Sequence, residues 1–532
     1  MDVAAINAFM REMNGNLGAP YCWNRVSGLI AALATVSFLS SKAVASTNDP
    51  GDAFATPLVQ LRPVESIKLE KQDPMENAEA TRIKGLVRNL SNIETNEGWS
   101  FSEFSFAPTL TTSRDYRMML KYREMKQSAP VVELVKLGPN ALPYLLDALD
   151  DQTPTKFVAE HHDMIGGMWF SDEMQWNPAN VVEAKVLDGQ PKNPFEAFQR
   201  LDHKKNLSSY RVKVGDVCFE IIGQIVGRHY EAVRYQMTNC KYINSPTHDT
   251  NLVQRVRSIW SSPNPAQHLL DSLLLDFATR GLSITNSPGL VLASRLQTRA
   301  ATRLLYYYPQ QTTNLIVQRL RHLDIGTNSI ERNVTNGLGT TEFIDAIAWS
   351  KEPAIRAELQ RVLLTTADPE ILRAAIMATE ASNEQKVRNR VEDFISQLTE
   401  TDWGSLEGRE LLLASGWQFG KGARPTFEHY MRNANLQRRL RMCEVLEEVC
   451  GDLSVDLLSP LLPDTRPADE DVWTYPVVPN KDEPRLPVRV CDVAAEVISK
   501  NFPRLSFKMQ GTHKELDQQI QKMREQIARH DY

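Results

Sequence analysis

Glu160-His161-His162-Asp163 is the densest group of potential metal ligands in the chain. Neighbouring side chains diverge on a helix or strand, so one ion would reach at most two of them without help from elsewhere. A polar loop is the simpler expectation. Two carboxylate pairs, Asp216/Glu220 and Asp492/Glu496, stand at i, i+4, a spacing that brings acids close enough on a helix for acid–base work. The pair occurs twice, and packing or hydrogen bonding between repeats explains a duplicated feature more economically than catalysis. Gly416-Trp-Gln-Phe-Gly-Lys-Gly422 comes nearest to a phosphate loop. It has three residues between its first glycines where four are required, and no Ser or Thr follows Lys421 to hold magnesium. No H-E-x-x-H, G-x-S-x-G or G-x-G-x-x-G occurs. No two cysteines are spaced C-x-x-C, and Cys218, Cys443 and Cys491 sit among apolar helix positions as small hydrophobes. No catalytic, cofactor-binding or metal-binding residue is assigned.

The elements that would carry any site are helical. Leu142, Leu145, Leu146 and Leu149 fall at i, i+3, i+4, i+7 and form one stripe, with Asn140 expected to cap the helix start. A single helical hairpin cannot bury such a stripe, so stacked neighbours are implied. Similar faces recur. Asn264-Pro265 precedes Leu269, Leu270, Leu273 and Leu274; Asp368-Pro369 precedes Ile371, Leu372, Ala375 and Ile376. Ala300, Ala301, Leu304, Leu305 and Tyr308 make another face, stopped by Pro309. Val212–Ile222 aligns without gaps on Val488–Ile498, identical at six of eleven positions. In each copy the apolar residues share one helix face, and the carboxylates lie on the opposite side. No clear β-run interrupts the series, so the fold class is all-α.

Leu137–Asp151 resembles the second helix of HEAT repeats and of the HEAT-like repeats of phycobilisome lyases. The two V-[KR]-V-x-D-V-x-x-E segments resemble the Asp-bearing stretch of such repeats. The resemblance implies a HEAT-like α-solenoid with an extended concave surface, used mostly for binding other proteins. It does not imply lyase activity. The expected organisation is a signal peptide over 1–45, then a flexible leader with an N-terminal helix and extended segment over 46–114. A solenoid follows over 115–508 with insertions at 152–209, 324–342 and 463–487, and a charged helix over 509–532 closes the chain. That last helix carries Leu516, Ile520, Met523 and Ile527 and reads either as a short self-association seam or as a cap on the array.

Long insertions in a solenoid tend to be functional. Met168, Trp169, Phe170 and Trp176 in the first insertion are therefore the candidate partner-binding residues, the plainer reading being a satellite core. The formal net charge of -6 disfavours nucleic acid, which rewards clustered cations. Arg438, Arg439 and Arg441, beside Glu444, Glu447 and Glu448, read as a solvated face. Arg25, the uncharged Val26–Ser41 and Ala43-Val44-Ala45 form a secretory signal with cleavage after Ala45. Val26–Ser41 is shorter than the roughly 20 residues that span a bilayer. The sequence thus points to an exported, periplasmic bacterial scaffold that binds proteins. The alternative is an enzyme, a metal-assisted hydrolase or lyase, with its site in the 152–209 insertion.

Overall fold

The computed structural model describes residues 66–70, 76–94, 106–109, 128–159, 185–186, 210–228, 230, 232–235, 241–243, 245–278, 288–323, 340–379, 385–397, 406–432, 434–468 and 487–532. They are mostly helical, with a few short strands. In chain order the first elements are α1 (Asn77–Asn89), α2 (Ala129–Leu137) and α3 (Leu142–Asp147), then β1 (Pro154–Ala159), β2 (Lys185–Val186) and β3 (Tyr210–Lys213). Next come α4 (Val214–Val226), β4 (Val233–Tyr235), β5 (Lys241–Ile243), α5 (Thr250–Trp260), α6 (Pro265–Ala278) and α7 (Pro288–Tyr307). Helices alone follow: α8 (Pro309–Arg321), α9 (Thr340–Ile347), α10 (Pro353–Thr365), α11 (Pro369–Ala378), α12 (Gln385–Gln397) and α13 (Leu406–Phe419). The series ends with α14 (Arg424–Met431), α15 (Leu436–Glu448), α16 (Ser454–Leu458), α17 (Val490–Asn501) and α18 (His513–Ala528). No helix among the described residues is long and apolar enough to cross a membrane.

From α7 onward the helices pack as two rows. α7, α9, α11, α13, α15 and α17 each touch the next, and so do α8, α10, α12, α14 and α16. Contacts α7–α8, α10–α11, α14–α15 and α16–α17 join the rows like rungs. The apolar stripes read from the sequence face the space between the rows: Ile316 and Leu320, Ile355 and Leu359, Ile371 and Leu372, Leu440 and Leu446 are all buried. α7 is a shared wall. Ala300, Leu304 and Tyr308 belong to the core formed with α1–α6, whereas Ala301 and Leu305 belong to the core that runs on to α18.

Helix starts follow local rules where the cap is unobstructed. The Asp368 carboxylate accepts from Ile371 N–H at 3.0 Å, and Asn264 Oδ1 accepts from Gln267 N–H at 3.2 Å. Asn140 does not cap α3. It lies inside a 3₁₀ turn, Gly138–Asn140, so its backbone is already coiled and its side chain makes no cap bond.

The mostly helical body is consistent with the all-α reading, and the few strands are short. β1 and β3 pair antiparallel across 160–209, with Thr155 Oγ1 donating to Val212 O at 2.8 Å. β2 pairs β5, and β5 pairs β4. The partners of β1 and β2 are remote in sequence, whereas only 236–240 separate β4 from β5. Ser66–Glu70, within the stretch expected to be flexible, is held on α6: Leu69 N–H donates to Gln267 Oε1 at 2.9 Å, and Gln267 Nε2 to Ile67 O at 2.8 Å. Thr340–Glu342, read as the end of an insertion, opens α9. The seam on α18 is covered within the chain, with Leu516, Ile520 and Met523 buried in the larger core.

The internal echo is deeper than its sequence. Each copy begins with a 3₁₀ turn, Gly138–Asn140 or Gly451–Leu453, followed by a short helix, α3 or α16. Asp151 Oδ1 then accepts from Thr153 N–H at 2.8 Å, and Asp464 Oδ1 from Arg466 N–H at 3.3 Å. Val214 N–H donates to Thr153 O and Gly215 N–H to Asp151 O; in the second copy Val490 N–H donates to Arg466 O and Cys491 N–H to Asp464 O. Insertions of unequal length separate these partners, which hides the match from a linear alignment.

Candidate interaction surface

The duplicated aspartates are structural and not exposed. Asp216, Glu220 and Asp492 are buried. In each copy the Asp accepts from the backbone N–H three residues earlier, Lys213 or Arg489, closing the helix start. Asp492 also takes a two-pronged bond from Arg489, at 3.0 and 2.8 Å, while Arg489 Nη1 reaches Asp517 of α18 at 2.8 Å. Lys213 lacks the fork, and its Nζ turns to Gln152 Oε1 at 2.7 Å. Asp216 instead accepts from Tyr210 Oη at 2.8 Å, from Ser245 Oγ and from Thr247 Oγ1 at 3.3 Å. Burial pushes the Asp216 carboxyl up, and bonds from Ser245, Lys213 N–H and Tyr210 pull it back. This cluster ties β3, α4 and the 245–249 loop together in the interior. The two glutamates have parted: Glu220 accepts from Ala232 N–H, while Glu496 faces Lys500 at 3.4 Å.

The arginine cluster is also not a solvated face. Arg441 pairs with Glu444 at 2.6 Å and Arg439 with Asp464 at 3.2 Å. Arg438 lies over the Tyr430 ring at 5.8 Å. Glu444 and Glu448 are claimed from α13 by Arg409, which is only 3% exposed. Gly416–Gly422 runs through the end of α13 and a 3₁₀ turn. A Cβ on Gly416 would strike Val449, and Lys421 pairs with Asp452 at 2.9 Å. Cys218, Cys443 and Cys491 are buried thiols, as expected. Met168, Trp169, Phe170 and Trp176 lie outside the described residues, as do Glu160–Asp163 and the 1–45 segment. Among the described residues no three His, Cys, Asp or Glu side chains are placed to hold a metal.

A surface that the sequence did not single out lies in the second row, where α10 and α12 touch only lightly. Pro353 starts α10, and Ile355, Leu359, Val362 and Leu363 bury one face of it. Val387, Val391 and Phe394 do the same for α12. The remaining faces bound an open cleft of about 910 Å³. Its walls are Gln360, Arg361, Leu364 and Thr365 on one side and Gln385, Lys386, Asn389, Arg390 and Asp393 on the other, with Ala357 at an end.

Both arginines donate to backbone carbonyls. Arg390 donates from Nε to Leu364 O at 3.2 Å and from Nη2 to Thr366 O at 2.7 Å, completing acceptors left open at the C-terminus of α10. Its guanidinium lies 5.4 Å from the Phe394 ring centre. Arg361 pairs with Glu358 at 2.7 Å and donates to Leu320 O at 3.1 Å; Glu358 also takes Arg321 at 2.6 Å. Burial works to raise the Glu358 carboxyl, but the two arginines outweigh it and hold it below the usual range. The walls are rich in donors and offer no nucleophile paired with a base, which suits binding. In sequence these polar positions at i, i+4 are indistinguishable from an ordinary solvated helix face.

The chain matches no family model, no curated protein and no solved structure.

Proposed function

We propose that the protein is an exported scaffold that binds protein partners along the surface of a HEAT-like α-solenoid. The observation that carries this reading is the pair of helix rows from α7 to α17, in which each helix packs on the next of its own row. Arrays of this kind expose long, continuous surfaces because each unit touches only its neighbours. The repeated turn–helix–aspartate unit at both ends of the body supports the same reading, and the Arg25–Ala45 segment supports export. Mass spectrometry of the mature protein tests export: a chain beginning at Ser46 is expected, and an intact Met1 overturns it. Crosslinking in the native compartment, with sites mapped to residues, tests binding. Reproducible crosslinks from the α8–α16 row to a defined partner are expected. Stoichiometric zinc or iron in the purified protein, with crosslinks absent, would favour the enzyme reading instead.

A further inference from the structure

We infer that the cleft between α10 and α12 receives an extended, acidic peptide segment of a protein partner; this rests on the scaffold reading and specifies where and what the scaffold binds. Charge is the first ground. The walls carry Arg361, Arg390 and Lys386 against Asp393, in a chain whose formal net charge is -6. Glu358, shared by Arg361 and Arg321, offsets part of the Arg361 charge, so Arg390 and Lys386 carry most of the field of the site. An acidic chain that concentrates cations in one concave place has a local field opposite to its overall one, and such fields attract anionic groups.

Preorganisation is the second ground. Arg361 and Arg390 are already fixed by Leu320 O, Leu364 O and Thr366 O, so little rotamer entropy remains to be lost when a carboxylate arrives. Lys386 is exposed at the rim, where a mobile ammonium can follow a side chain that is not fixed in register.

Shape and remaining chemistry separate a peptide from other anions. Each wall spans eight helical steps, Ala357–Thr365 and Gln385–Asp393, or about 12 Å at about 1.5 Å per step; this admits about four extended residues at about 3.3 Å each. Gln385 Nε2 already donates to Asn389 Oδ1 at 2.7 Å, which leaves Gln385 Oε1 to accept from, and Asn389 Nδ2 to donate to, a peptide backbone. Only Ala357 and Leu364 are apolar, which suits no greasy ligand. No aromatic ring lines the cleft for a base to stack on, and three cations are few for a phosphate polymer. Asp393, at the far end of α12, gives the site a polarity: acidic residues belong at the Lys386 end.

The test is fluorescence anisotropy of the full mature chain with a labelled hexapeptide of Glu and Asp, and with its Gln/Asn counterpart. Saturable binding of the acidic peptide is expected, weakening about tenfold between 50 and 200 mM salt because rim charges are screened over this range. Lys386→Glu with Asn389→Asp changes two exposed side chains, so folding should be retained, as checked by thermal melting. That variant should bind at least tenfold more weakly, while Lys68→Glu, far from the cleft, binds as wild type. Equal binding of the neutral peptide, unchanged affinity in the cleft variant, or preference for a single-stranded oligonucleotide overturns the inference. Crosslinking the cleft variant separates the two levels. Partners retained in full mean that the scaffold reading stands and the cleft assignment falls; partners absent from wild type as well mean that the scaffold reading itself falls.

Discussion

Gly138 shows how one residue can serve a contact remote in sequence. It ends α2 with φ at 54°, and a Cβ there would land inside the Tyr307 ring. Tyr307 meanwhile donates from Oη to Val135 O at 2.5 Å and stands edge-on to Phe106. Gly138→Ala meets both backbone strain and overpacking, and should cost about 1–3 kcal/mol, read from urea denaturation. Asp464 governs another residue-scale effect. The Arg466 hydrogen bond, against some burial, holds its carboxyl below the usual carboxylate range, with Arg439 adding to the pull. A carboxyl lowered by folding contributes stability above its unfolded value near pH 4, and this is lost as pH falls through its folded value. The stability profile should therefore drop on the acid side, and Asp464→Asn should flatten that limb when urea midpoints are compared from pH 3 to 6.

At the scale of elements, neighbouring helices in each row are joined by ion pairs as well as by apolar faces. Arg321–Glu358 links α8 to α10, Arg424–Asp456 links α14 to α16, and Lys500–Glu447 links α15 to α17. Most of these are partly exposed and worth little each. The exception is Arg409, which bridges α13 to Glu444 and Glu448 of α15 with its guanidinium almost wholly covered. Arg409→Ala removes the shared cation from Glu448 and leaves Glu444 with Arg441, both in a restricted space, and should cost about 3 kcal/mol. Changing Glu448 to Gln in that background should return part of the loss, because a neutral amide costs less to hold in a covered place than a carboxylate that has lost its Arg409 bond; a full double-mutant cycle in urea measures it. α18 closes the row through Arg489–Asp517 and a reciprocal cap between Thr512 and Glu515.

Across the whole molecule, α7 divides the interior in two. Leu304 and Leu305 are consecutive, fully buried or nearly so, and belong to different cores. Each change to Ala should cost about 2–5 kcal/mol, but hydrogen exchange should distinguish them. Leu304→Ala is expected to loosen α4–α6 first, and Leu305→Ala to loosen α9 and α10. Identical loss of protection on both sides would mean that the cores open as one cooperative unit.

The chain's own pattern determined the helices, their buried faces, the caps at Asn264 and Asp368, and the kinship of α4 with α17. All of these follow from spacing within one turn or two, where 3.6-residue periodicity and capping chemistry act. Tertiary structure alone decided the rest. Asp216 entered the interior because β3 and the 245–249 loop supply donors, and Glu220 accepts from Ala232 N–H. The strands β1 and β2 pair with residues far along the chain. Two polar faces, unremarkable on α10 and α12 taken singly, became a cation-lined cleft only when packing set them opposite each other. Local sequence encodes which side of a helix avoids water; which polar side meets which is settled only by the packing of distant elements.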